Sequence, residues 1–228
     1  MASVMLKGSL GQRESIMEPS RKSPDEAFTL IELVAVIACV ALLGAILLPA
    51  LYPRRPYHGP TCTNNLKQVG LSFKTWALDN DDKYPMQCAT NGGTLGMMSS
   101  DAVWRDFRAM SNELSTPKIL VCPCDKRVGA TNFESDLSNS KISYFVGLDA
   151  NETNAQMFLS GDRNLTNGTV LQNGVLVVAP SRPAGWTHTM HNGQGNIGLA
   201  DGSVQQYTSA TLSLMISKSG DTNRLAIP

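Results

Sequence analysis

The 228-residue chain has no excess of either charge: 19 Lys and Arg stand against 19 Asp and Glu. That balance excludes a general attraction to nucleic acid or to an anionic lipid surface. No Gly-x-Ser-x-Gly elbow is present, nor a Gly-rich phosphate loop closed by Lys, so the most readable signatures of a hydrolase and of a nucleotide-binding enzyme are both missing. Aspartates occur, but never at the regular spacing of an EF-hand loop. The first 26 residues lack the basic start, short apolar core and small-residue cleavage site of an ordinary secretory signal. Only 17% of residues are charged while Gly and Pro number 19 and 12, which suits a loop-rich exported domain better than a helical cytosolic enzyme.

What the chain does have is one long apolar stretch. From Phe28 to Leu51 it runs 24 residues, FTLIELVAVIACVALLGAILLPAL, with a single charge at Glu32. As a helix rising about 1.5 Å per residue it reaches roughly 36 Å, enough to cross a hydrocarbon core of about 30 Å. A carboxylate near the front of such a helix is costly unless paired, and an acid inside a membrane segment is a functional hypothesis by default. Ahead of it lies a polar leader with four basic (Lys7, Arg13, Arg21, Lys22) and four acidic side chains (Glu14, Glu18, Asp25, Glu26). Met17 offers a second start that would shorten this leader to 11 residues.

Ala27-Phe28-Thr29-Leu30-Ile31-Glu32-Leu33 running into an apolar helix resembles the processing signature of type IV prepilins and of the pseudopilins of type II secretion. The resemblance implies cleavage by a membrane prepilin peptidase between Ala27 and Phe28, methylation of the new amine on Phe28, and retention of the apolar helix as membrane anchor and filament core. It implies that Glu32 faces the amine of a neighbouring copy during assembly. Such a pair, starved of water, is satisfied only when two chains are in register. The family usually carries Gly where this chain has Ala27. The expected partners are the peptidase, further copies or related pseudopilins, and the bacterial inner membrane, with the head outside the cytoplasm. The function the resemblance implies is that of a structural subunit of a pseudopilus or pilus-like filament; the alternative is a membrane-anchored binding or surface protein that uses the prepilin pathway only for export. No nucleic acid and no enzymatic activity are expected.

The rest of the chain divides by its punctuation. Residues 1–27 form the leader, 28–51 the membrane and assembly helix, 52–60 a hinge with prolines at 53, 56 and 60, and 61–228 the head. A helix is expected to resume at Thr61 or Thr63, with Leu66, Val69, Phe73, Trp76 and Ala77 on one face and Lys67, Gln68 and Lys74 facing away. A second helix is expected over 101–114, where Val103, Trp104, Phe107, Met110 and Leu114 recur at helical spacing. KILVCP reads as a short strand, and ISYFVGLD, QMFLSGD and TVLQNGVLVVA as longer ones, paired antiparallel across short connections. Asp201-Gly202 between two alternating runs predicts a hairpin with a two-residue turn of the primed type. Together these predict an α+β, pilin-like fold: a long N-terminal helix, half membrane and half amphipathic, packed on an antiparallel sheet. His191 followed by Asp201-Gly202 resembles a His-x9-Asp-Gly motif near the C-terminus of one group of pilin-like proteins, and CTNNLKQVGLSFKTWALDNDDKYP resembles the segment that follows the membrane helix in the same group.

Candidate chemistry is sparse. His188, His191 and Asp201 lie close in sequence, but His191 reads as a hydrogen-bonded structural residue and Asp201 as a turn residue. Major pseudopilins often hold calcium in a C-terminal loop, which makes Asp149, Asp162 and Asp201, or the cluster Asp79, Asp81 and Asp82, candidate calcium ligands; otherwise no cofactor is expected. Cys39 sits in the apolar helix as a small apolar side chain. Cys62, Cys88, Cys122 and Cys124 are free thiols or form one or two disulfides, with three full pairings open. Zinc at Cys122-Pro-Cys124 is disfavoured, because one residue separates the pair and no second pair answers it.

Overall fold

A computed structural model describes residues 28–51, 59–89, 92–96 and 103–228. The leader, with Ala27, and residues 52–58 of the expected hinge lie outside the described residues. The chain forms two units, Met1–Arg55 and Pro56–Pro228.

In the first unit, helix α1 spans Leu30–Leu51. Its start is set by a reciprocal cap. The Thr29 amide and hydroxyl donate to Glu32 Oε2 at 2.9 and 2.7 Å, and the Glu32 amide points back at Thr29 Oγ1 at 3.4 Å. This is the Thr-x-x-Glu capping box, which satisfies helix-end donors locally. Leu30, Ile31, Leu33, Val34, Val36 and Ile37 are all exposed, so apolar side chains point to every side rather than to one stripe. Counted over the described side chains, which run unbroken only from Phe28 to Ala45, no helix is long and apolar enough to cross a membrane.

The second unit is α+β. Helix α2 (Gly59–Leu78) starts two residues before Thr61, with Pro60 in the first turn, where a missing amide costs nothing. Its Cys62, Leu66, Val69, Phe73, Trp76 and Ala77 are buried, on the expected face. Helices α3 (Val103–Ala109) and α4 (Ser111–Leu114) replace the single helix expected over 101–114, the break falling at Met110. Pro117–Leu120 is a 3-10 turn and not the strand expected at KILVCP: Pro117 opens it, and the Thr116 hydroxyl accepts from the Lys118 amide.

The strands are β1 (Tyr144–Gly147), β2 (Phe158–Asp162), β3 (Leu165–Thr166), β4 (Val175–Val178), β5 (Gly185–Trp186), β6 (Gln194–Leu199), β7 (Val204–Thr208) and β8 (Asn223–Ala226). Six make one antiparallel sheet in the order β4-β8-β1-β2-β6-β7; β3 and β5 pair separately. Helix α5 (Ser209–Ser219) follows β7, capped by Thr208 and ended by Gly220 at φ 72°. Neither α5 nor β8 is evident from periodicity: α5 buries only Leu212 and Ile216, and β8 is four residues long with an exposed Arg224.

Two apolar layers follow from this. On one side of the sheet Tyr144, Val146 and Leu159 join Phe73, Phe107 and Met110. On the other, Phe145, Phe158, Ile197 and Leu225 join Leu212 and Ile216 of α5. A strand covered on both faces buries every side chain, which is why β1 reads as a continuous apolar run. At Gly147 a Cβ would come within 1.7 Å of the Phe158 carbonyl oxygen, so no other residue lets β1 and β2 approach in this register.

The β6–β7 hairpin forms, with a different turn. The Gly202 amide donates to the Leu199 carbonyl and the Leu199 amide to the Ser203 carbonyl, both at 2.9 Å, closing a three-residue loop in which Gly202 alone has positive φ. The two-residue primed turn is corrected on that point: Asp201 instead accepts from the Ser203 amide at 2.7 Å.

Candidate metal centre

Three separate segments meet at the end of α2 nearest its N-terminus. Cys62 comes from the first turn of α2, on the face shared with Leu66 and Val69. Cys122 and Cys124 come from the loop after the 3-10 turn. His191 comes from the turn before β6. Their ligand atoms all lie within 4.8 Å of one another, and among the described residues no other such group of three or more His, Cys, Asp or Glu forms. The premise that nothing answers Cys122 and Cys124 is corrected: Cys62 and His191 stand beside them. All five cysteines are free, and Cys88 stands outside the group.

Each segment is held in place. Asn65 donates to the Val121 carbonyl at 3.3 Å, fastening the 122–124 loop to α2. Asp125 is gripped by Arg163, whose Nε and Nη2 donate to its two oxygens at 2.7 and 2.9 Å, and by the Ser143 hydroxyl at 2.9 Å. Arg127 donates to the carbonyls of Asn139, Ile142 and Pro228. His191, Asn192 and Gly193 have φ of 49°, 54° and 80°, three left-handed residues in succession. That backbone is uncommon for a non-glycine residue, and it marks the turn that carries the imidazole. Asn164 secures the same turn by donating to the carbonyls of Thr187, Met190 and Gln194.

The imidazole is buried, with its side chain 5% exposed. His191 Nε2 lies 3.1 Å from Cys122 Sγ and 3.3 Å from Asp162 Oδ2. Asp162 is wholly buried; its Oδ2 accepts from the Asn196 amide and side chain at 2.7 and 2.8 Å, while its Oδ1 has no partner. The Tyr144 hydroxyl is likewise buried without a partner. Burial with Asp162 and the thiols nearby pushes its phenol well above the usual range. Among thiols this close, one ionisation is shared. The hydrogen bond from Cys122 brings Cys62 down to about 5, against its burial and with help from His191. Cys122 is correspondingly held protonated, and burial raises Cys124 to about 11. Burial opposes charge on His191, but Asp162 and Cys62 outweigh it and lift the imidazole to about 10.

The remaining candidates do not converge. Asp149 is bound by the Arg224 guanidinium and amide, Asp162 by Asn196 and His191, and Asp201 by its own turn. These three, and the trio Asp79, Asp81 and Asp82, join no ligand group among the described residues. His188 is exposed and outside the cluster. A surface groove of about 480 Å³ lined by Tyr207, Leu214, Met215 and Lys218 brings no acid-base set together. Phe28 is exposed and Glu32 is engaged with Thr29, as described for α1.

The cluster was half visible in the sequence. Cys62 keeps helical spacing with Leu66 and Val69, so its burial was readable, and His191 belonged to a recognisable motif. The Thr29–Glu32 box was fully readable as Thr-x-x-Glu before an apolar run. No protein-family model, curated protein or solved structure matches the chain.

Proposed function

We propose that the chain is a pilin-type subunit of a type II secretion pseudopilus or a type IV pilus-like filament, anchored in the bacterial inner membrane by Phe28–Leu51, trimmed before Phe28, and assembled through that helix. The observation that carries this reading is the Glu32 carboxylate at the front of an otherwise uncharged apolar helix. In the separate subunit Thr29 occupies Glu32; an ammonium on Phe28 of a neighbouring copy would offer the same oxygens an opposite charge. The helix is apolar on every side, which calls for lipid before assembly and for sister helices after it. Behind the anchor, α2 with the antiparallel sheet supplies the head, and this part of the pilin-like pattern supports the reading without deciding it.

Local capping and assembly make different demands on Glu32, and that separates them. Glutamine also completes a capping box, so Glu32→Gln keeps the helix start while removing the charge. In native membranes Glu32→Gln and Glu32→Ala are expected to insert and to be cleaved before Phe28, yet to stay out of filaments. Thr29→Val is expected to retain assembly. Amino-terminal mass spectrometry reads cleavage and methylation, and pelleting of sheared filaments reads assembly. Normal filaments from Glu32→Gln would end the pairing argument, and a native chain that keeps residues 1–27 would end the proposal.

A further inference from the structure

We propose that Cys62, Cys122, Cys124 and His191 form a zinc(II) site that clips the head together, a role independent of filament assembly. Four ligand atoms within 4.8 Å of one another match the size of a tetrahedral shell, whose edges are about 3.8 Å when metal–sulfur bonds are about 2.3 Å. The donor set, three thiols and an imidazole, is one that structural zinc uses, and sulfur ligands select zinc over the hard cations calcium and magnesium. The unusual Cys-x-Cys spacing is accommodated because the other two corners come from distant segments. A bare pair of this spacing would lack them.

A second observation lies beside the four ligands, a buried acid left incompletely satisfied. Asp162 is wholly buried with one oxygen unpaired, and among the described residues its sole charged partner is His191. The guanidiniums beside this loop are already spent: Arg163 on Asp125, Arg127 on three carbonyls. One buried carboxylate, three thiols and a phenol therefore crowd around a single imidazole, a pocket built of polar groups rather than of core side chains. On binding, the metal forms three Zn–S bonds and one Zn–N bond; the protons remaining on the thiols and the proton His191 carries on its ligating nitrogen leave to solvent, with no change in oxidation state. The loop that carries two of the ligands is held from outside as well: Asn65, Arg163 and Arg127 fasten the segment of Cys122 and Cys124.

What the clip would do follows from where its four corners sit. Cys62 is at the start of α2, Cys122 and Cys124 lie on the loop leading toward β1, and His191 precedes β6, so one ion would tie the helix to the loop and the sheet. The rival state is a disulfide between Cys62 and Cys122 or Cys124, which would consume two thiols by oxidation and destroy the site.

The full-length chain in detergent, reduced and stripped of metal, tests this with cobalt(II) and zinc(II) as probes. The expected result is one metal ion per chain by elemental analysis. Cobalt should show the intense visible bands of a tetrahedral centre and sulfur-to-metal absorption in the near ultraviolet, and zinc should abolish both. Cys124→Ser, at the half-exposed corner, is expected to weaken binding at least about tenfold while far-ultraviolet circular dichroism shows the fold intact. His191→Ala should shift the cobalt spectrum, and Cys39→Ser and Cys88→Ser should leave it unchanged. Octahedral cobalt, absence of a stoichiometric ion, or full affinity in folded Cys124→Ser would overturn the site. So would a native chain whose peptide map shows Cys62 joined to Cys122 or Cys124.

Discussion

Helices α1 and α2 are nearly equal in length, 22 and 20 residues, yet they solve opposite problems. In α2 apolar side chains fall on one face, and the same chain covers them with the sheet, α3 and α4. In α1 they point to all sides and stay exposed. A helix whose apolar surface is buried by its own fold has its energetics written into the monomer. One whose surface is left open keeps its apolar side chains outside that account, and this one carries a single acid, Glu32, in its first turn.

The contrast is broken most forcefully at Phe73, which is fully buried and meets Tyr84 and Phe107 edge-on with ring centroids 5.7 and 6.2 Å away. Phe73→Ala is expected to lower the unfolding free energy of the head by about 3–5 kcal/mol in urea titrations of the detergent-held chain. Val36→Ala in α1 should leave that transition where it is. Equal losses from both would refute the contrast.

A slightly smaller effect is expected at Asp106, buried in α3, where desolvation lifts the carboxyl from 3.8 to about 7 despite a hydrogen bond from Thr94. Because the folded group holds its proton to higher pH than the unfolded one, its cost is absent below about pH 4. The cost grows as pH rises between the two values and is complete above about 7. Asp106→Asn should therefore stabilise the head at pH 8, by at most about 4 kcal/mol, and change little at pH 4. Melting curves across that range check the sign; a variant less stable at pH 8 would refute it.

The smallest effect belongs to the α1 cap. Thr29→Val removes one half of the reciprocal box and is expected to cost about 1 kcal/mol of local helix stability, seen as faster amide exchange over the first turn of α1. The head transition should not move, which sharpens the separation of the two helices.

Residues whose role is set by their immediate neighbours were open to inspection in the sequence. The one-sided spacing of α2, the β6–β7 hairpin, the strands at β1, β2 and β4, and the Thr-x-x-Glu start of α1 all follow from side-chain period, turn chemistry or capping, which act over a few residues. Tertiary structure decided the rest. It placed the four-residue β8 between β4 and β1, because pairing on both sides stabilises a strand too short to announce itself. It covered the second face of the sheet with α5, whose two buried residues make a poor pattern alone. It also gathered Cys62, Cys122, Cys124 and His191, separated by up to 129 positions, into a space of 4.8 Å. Sequence spacing measures distance along the chain, whereas a ligand set is defined by distance through space, and only the folding of α2 against the sheet converts one into the other.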